Sequence, residues 1–175
     1  MKTTVIAVVG SKSSGKTTTI EVLTKKLTKR GYNVAAVKHV PEPEFTIDRE
    51  GKDTWRFARS GAKTIVSVAS SEIATIEKVD STVFSLEEIL QRCKNADLVF
   101  LEGFKRLVGK NCDLPKIVAV ESAQEILQAS KTFEPILAFT GLRPIETLNL
   151  KVPYINVLEN SEKIVNMVEK VARRN

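Results

Sequence analysis

Gly10-Ser11-Lys12-Ser13-Ser14-Gly15-Lys16-Thr17 matches G-x-x-x-x-G-K-[ST] at every fixed place. This is the spacing at which consecutive main-chain N–H groups wrap a polyphosphate. Glycine lets the backbone come close to the phosphate, and a helix opening behind the loop adds its own free N–H groups and positive dipole end. In this reading Gly10, Ser11, Ser13, Ser14, Gly15 and Thr18 line the cradle. Lys16 reaches the β- and γ-phosphates, and the Thr17 hydroxyl joins the shell of a Mg²⁺ ion. Lys12 either touches phosphate or faces solvent; it does not occupy the place of the signature lysine of K-G-G-x-G-K loops. Such a string arises by chance in on the order of one in a hundred random chains of this length.

Phosphate chemistry of this kind also needs a carboxylate to hold the hydrated metal or the attacking water. Glu102 is the leading candidate, because the apolar run Leu98–Leu101 delivers it at the carboxyl end of a buried strand, on the edge where Gly10 also lies. Gly103 directly after it allows close approach of backbone to phosphate. Asp48, Lys52 and Asp53 sit in a stretch of mixed charge that is as readily a solvated loop, and Asp53 is equally a helix cap worth about 1 kcal/mol. His39, the single histidine, ends a second strand on the ligand edge, where it is either a structural hydrogen-bonding group or a ligand contact.

The elements that must position these residues follow from apolar periodicity. Thr3–Val9 is a β-branched apolar run of the kind buried on both faces of a parallel sheet. Ile20, Leu23 and Leu27 then fall on one helical stripe, with Gly31 where a left-handed residue would end the helix. Strands are predicted at Asn33–Lys38, Thr64–Val68, Glu72–Ile76, Leu98–Leu101, Lys116–Val120, Ile136–Phe139 and Val152–Val157. Pro41–Gly51, with two prolines, a glycine and five charged residues, reads as a surface loop. A short helix capped by Asp53 is predicted to Ser60. The S-x-x-E spacings at Ser85–Glu88 and Ser122–Glu125 predict capping boxes that start two further helices, and a last helix starts after Ser161. Strands alternating with helices predict an α/β fold, a three-layer sandwich with a mostly parallel sheet and helices on both faces, in a single domain over residues 1–175.

Composition narrows the function classes. At 175 residues, 42% hydrophobic and 27% charged, the chain has the make-up of a globular domain. Its longest apolar run, Val5–Val9, falls far short of the about 20 residues of a membrane span. A strand beginning at Thr3 leaves no room for a signal peptide, so a cytoplasmic protein is expected. Cys93 and Cys112 are expected to be reduced thiols. The net charge of +6 favours polyanionic or phosphorylated partners. Lys25, Lys26, Lys29, Arg30, Arg173 and Arg174 cluster at helix ends, where the dipole explains them, and no aromatic-interleaved basic stripe marks a nucleic-acid binder.

The motif set resembles the molybdopterin-guanine dinucleotide biosynthesis protein B (MobB) family of P-loop NTPases. The resemblance rests on Gly10–Thr17, Val37-Lys38-His39, Ile47-Asp48-Arg49-Glu50-Gly51-Lys52-Asp53-Thr54, Gly61-Ala62 and Leu101-Glu102-Gly103-Phe104-Lys105. These stand in the family's order over about two-thirds of the chain. It implies a GTP-binding, weakly hydrolysing, Mg²⁺-dependent homodimer that assists a MobA-like guanylyltransferase in joining guanylate to molybdopterin. Carried over by position, it puts Lys16 and Thr17 at phosphate and metal and Glu102 in the Walker-B role. Asp48 and Asp53 fall near the metal or substrate, with His39 and Lys105 in the binding motifs. The expected catalytic set is Lys16, Glu102 and Asp48, and the expected metal set Thr17, Glu102 and Asp48. The chain departs from the family after His39, where many relatives carry further histidines and this one has Val40-Pro41-Glu42. No N-K-x-D guanine-reading string occurs, so the base preference comes from the resemblance. From strand order, a turn at Thr140-Gly141 is expected near the base. The competing reading from the residues is a P-loop small-molecule kinase with Pro41–Gly51 as its lid; a basic nucleic-acid module ranks third.

Overall fold

The computed structural model describes residues 3–79, 84–145 and 150–174. Its contacts divide the chain into two compact units, Met1–His39 with Leu86–Asn175, and Val40–Ser85.

The larger unit is built on β1 (Thr4–Gly10), β2 (Val34–Lys38), β5 (Leu98–Glu102), β6 (Lys116–Ala119), β7 (Ile136–Gly141) and β8 (Tyr154–Asn156). They form one all-parallel sheet in the order β2-β5-β1-β6-β7-β8. The helices are α1 (Lys16–Lys29), α3 (Leu86–Gln91), α4 (Lys105–Val108), α5 (Ala123–Thr132) and α6 (Ser161–Ala172). Ile6 and Val8 of β1, Leu98 and Phe100 of β5 and Ile117 of β6 join Ile20, Leu23 and Leu27 of α1 and Ile164, Val165 and Val168 of α6 in one core. The alternate strand residues Ala7, Val9, Val99, Leu101 and Val118 point to the opposite face and are buried as well, as are Ile89 of α3 and Ile126 and Ala129 of α5. The sheet is therefore covered on both sides, which is why its central strands read as unbroken apolar runs rather than alternating ones.

α1 ends as its sequence predicts, with Gly31 left-handed at φ 91°. The cations at that end do more than answer the dipole. Lys26 Nζ lies 2.5 Å from Glu162 Oε1, Arg30 Nη1 2.5 Å from Glu169 Oε2, and Arg30 Nη2 also pairs with Glu162, so α1 and α6 are tied at the surface. These pairs hold the Glu162 carboxyl below its usual range, chiefly through the hydrogen bond from Lys26.

The smaller unit holds α2 (Asp53–Arg59) and an antiparallel hairpin, β3 (Thr64–Val68) with β4 (Ile73–Glu77). Pro41–Gly51 is without regular structure, as its composition predicts. The helix starts differently from expectation: Lys52 is the N-cap residue, and Asp53 is the first helical residue, with Arg56 3.7 Å from its exposed carboxylate. Asp53 thus stands in the first turn, where a negative charge meets the positive end of the helix, instead of capping it. Among the described residues, no helix is long and apolar enough to cross a membrane.

Candidate phosphate-binding site

β1 carries the chain straight into the loop, and the loop's shape depends on its glycines. A Cβ on Gly10 would come 2.2 Å from the Ala119 carbonyl oxygen of the neighbouring strand β6, so no larger residue fits. Gly15, at φ 92°, is the N-cap of α1 and turns the chain into the helix. The loop residue Ser13 also adopts a positive φ of 65°. Ser14 is buried, with its hydroxyl donating to the Ser11 carbonyl at 2.9 Å, whereas Lys12 and Ser13 are exposed and Thr18 is half-buried. Lys16 folds back over this loop and donates its ammonium to the Ser11 carbonyl.

The acid arrives from the adjacent strand. β5 pairs with β1 in parallel, with Val8 opposite Glu102, so the carboxylate emerges beside the loop on the same sheet edge. The Thr17 hydroxyl donates to both oxygens of Glu102, at 3.1 and 3.2 Å. On the other flank β2 puts Lys38 opposite Glu102, with Nζ 3.6 Å from Oε1. The ladder runs on past the strand ends: the His39 N–H donates to the Glu102 carbonyl and the Gly103 N–H to that of Val8, both at 3.0 Å. Gly103 (φ 88°) and Phe104 (φ 53°) then take two successive left-handed conformations. For a phenylalanine that conformation is strained, and it turns the chain sharply into α4 so that Lys105 follows at once. The exposed His39 ring packs on the Phe104 ring with centroids 5.2 Å apart.

The Lys16 ammonium is held below its ordinary range chiefly by burial. The Glu102 carboxylate opposes that shift, Lys105 and Lys38 add to it, and Glu125 opposes it again. Three lysines and two carboxylates therefore share one small edge. Such an edge suits a ligand bearing several negative charges, and Thr17 with Glu102 offers the hard oxygen donors that Mg²⁺ prefers.

Asp48 belongs to the smaller unit. Its Oδ1 accepts from the Thr54 hydroxyl at 2.7 Å and from the Arg49 N–H at 2.9 Å, while its Oδ2 is buried without a hydrogen-bond partner. Asp53, in the same unit, is exposed.

Two residues at this edge escaped the sequence reading. Ser122 does cap α5, accepting from the Glu125 N–H at 3.2 Å, but the Glu125 carboxylate does not close the reciprocal bond of a capping box. It accepts instead from the Glu121 N–H at 2.7 Å and from the Ser11 hydroxyl of the phosphate loop at 2.8 Å. The other is Thr19, whose hydroxyl lies 3.3 Å from that of the buried Thr140. The turn expected at Thr140-Gly141 is the end of β7, and Gly141 lies directly under Tyr154, whose hydroxyl a Cβ would meet at 2.2 Å. A cleft of about 200 Å³ beside it is lined by Ser14, Glu121, Arg143 and Tyr154, among others.

Residues 5–140 match the family model for molybdopterin guanine dinucleotide synthesis protein B. The chain belongs to this MobB family. It is 38% identical over 120 residues to a putative molybdopterin-guanine dinucleotide biosynthesis adapter protein of Methanocaldococcus jannaschii, covering 67% of this chain and 47% of that protein. It is 32% identical over 103 residues to the adapter protein of Haemophilus influenzae, covering 58% and 57%. The chain thus matches about half the length of these relatives. A crystal structure of a molybdopterin-guanine biosynthesis protein B superposes with a TM-score of 0.72 at 27% identity, covering 97% of this chain and 99% of the other. A MobB homologue from Bacillus stearothermophilus, 24% identical with a TM-score of 0.70 and coverage of 98% and 99%, shares the fold. The α/β architecture expected from the strand and helix pattern is thus that of the MobB P-loop NTPases.

Proposed function

We propose that this protein binds a guanine nucleoside triphosphate with Mg²⁺ and serves as an adapter when guanylate is joined to molybdopterin. In this reading it hands the nucleotide or the pterin to a MobA-like guanylyltransferase in the cytoplasm. The observation that carries the nucleotide part is the convergence of Lys16, Thr17 and Glu102 on one sheet edge beside a loop that only glycine at position 10 permits. Lys16, now on the Ser11 carbonyl, moves its ammonium to the β- and γ-phosphate oxygens. Thr17 and Glu102 would hold Mg²⁺, which when bound supplies neutralisation of the phosphate charge. Glu102 also orients the attacking water in a slow hydrolysis, and Lys38 and Lys105 offset charge at the rim. Gly103 lets the backbone approach the phosphates, and His39 contributes to the nucleotide side. The cleft beside Ser14 accommodates the base.

The homodimer belongs to the same proposal. In the β3–β4 hairpin Ile65 is buried, while Val66, Val68 and Ile73 on the opposite face are exposed, Val68 and Ile73 at 73% and 68%. Ile47, Phe45 and Phe57 of the same unit are exposed too. An apolar face of this kind marks an association surface, and a second copy of the chain is its proposed occupant.

Thermal unfolding with added nucleotides tests the reading. A ligand that prefers the folded chain stabilises it by RT ln(1 + [L]/Kd), so GTP with Mg²⁺ should raise the melting temperature more than ATP does. Equal shifts would remove the guanine part, and no shift with either would remove the nucleotide. Hydrolysis independent of any acceptor is expected; a phosphorylated product formed only with an acceptor would mark a kinase instead.

A further inference from the structure

We propose that Glu125 is a positioning residue for nucleotide binding, one that holds the phosphate loop in its binding shape through the Ser11 hydroxyl. The inference rests on the nucleotide reading above. Ser11 is the junction of the loop. Its carbonyl receives the Lys16 ammonium and the Ser14 hydroxyl, and its own hydroxyl donates to Glu125 Oε1 at 2.8 Å. Glu125 is itself held at its other carboxylate oxygen and at its backbone N–H. Oε2 accepts from the Glu121 N–H at 2.7 Å, the Glu125 N–H donates to Ser122, and the following residue, Ile126, is 2% exposed in the core. The loop is therefore tied by a charge-assisted bond to the start of α5 and, through Glu121, to the connection that follows β6, a support independent of the helix that the loop itself opens.

A carboxylate beside a phosphate site repels the ligand, so its presence calls for a compensating role. A loop rich in glycine and serine loses much conformational freedom when it closes around phosphate. Holding Ser11 beforehand moves that cost from the binding step to folding, the general benefit of preorganisation. It also decides what moves when nucleotide arrives: with the Ser11 peptide anchored, Lys16 leaves its carbonyl while the loop stays in place.

Displacement of a fluorescent GTP analogue from wild type, Glu125→Ala, Ser11→Ala, the double variant and Glu125→Gln, with nucleotide-free melting temperatures alongside, tests this. Glu125→Ala and Ser11→Ala should each weaken affinity about tenfold, equivalent to about 1.4 kcal/mol. The double variant should lose no more than either single one, because both remove the same bond. Glu125→Gln, whose amide oxygen still accepts from Ser11, should recover most of the affinity. Ser11→Ala deletes only a hydroxyl from a half-buried loop residue, so it reports even where Glu125→Ala fails to fold. Unchanged affinity in Ser11→Ala, or losses that multiply in the double variant, would overturn the proposal while wild-type binding stands. A wild-type protein that binds no analogue would overturn the nucleotide reading itself.

Discussion

Lys16 and Glu102 divide the work at the phosphate edge, and their variants should separate accordingly. Lys16→Ala removes the cation that meets the phosphates and should abolish detectable binding. Glu102→Gln keeps the shape of the site but loses the charge that holds metal and water, so binding should persist while hydrolysis slows on the order of 10²-fold; single-turnover assays distinguish the two effects. Normal turnover in Glu102→Gln would contradict the role of Glu102 as the main acid. Lys16 also predicts a proton signature. Burial lowers its free-state pKa below the ordinary 10.5, and neighbouring phosphate raises it again. Between those two values binding takes up a proton, so affinity should fall as pH rises through this window. Titrations in buffers of differing ionisation enthalpy would read that uptake directly.

At the scale of elements, the strand β6 depends on a lysine that no local rule anticipates. Lys116 is fully buried, with Nζ donating to the Asn111 carbonyl and, at 2.5 Å, to that of Glu134. Lys116→Met removes the ammonium donor from both carbonyls, leaving that of Asn111 only the Leu114 N–H at 3.3 Å, at about 1–3 kcal/mol for each bond lost, partly offset because no charge is buried. A net loss of about 2 kcal/mol is expected in urea unfolding, with nucleotide affinity unchanged. Burial lowers the Lys116 pKa, so the folded chain holds this proton less firmly than the unfolded one. Wild-type stability should therefore gain as pH rises from that lowered value toward 10.5, an increment the methionine variant lacks. What the sequence made legible follows the range of the forces involved. Thr3–Val9, the stripe of Ile20, Leu23 and Leu27, and Gly31 obey local periodicity and capping, so β1 and α1 could be drawn without coordinates. The Ser122–Glu125 spacing is local too, yet the Glu125 carboxylate is claimed by Ser11, 114 residues away. The insertion of β5 between β1 and β2 is equally non-local; the sheet edge that Glu102 and Gly10 share was legible, but not that their strands are neighbours.

For the whole molecule, whose net charge is +6, Lys26 and Arg30 are neutralised by Glu162 and Glu169 between α1 and α6, whereas Lys16, Lys38 and Lys105 gather at the phosphate loop with fewer acids beside them. The exposed face of the β3–β4 hairpin gives the proposed association its test. Val68→Glu with Ile73→Glu places like charges directly opposite each other on that face and should shift sedimentation from dimer to monomer, with nucleotide-free folding retained. A wild type that sediments as a monomer would contradict the dimer. The most direct measurement of the central claim is calorimetric titration of the protein with GTP, ATP and their diphosphates, with and without Mg²⁺. Saturable binding is predicted to be tightest for GTP with Mg²⁺ and weakened when the γ-phosphate or the metal is withheld. Absence of heat and of binding for every triphosphate at millimolar concentration would contradict it.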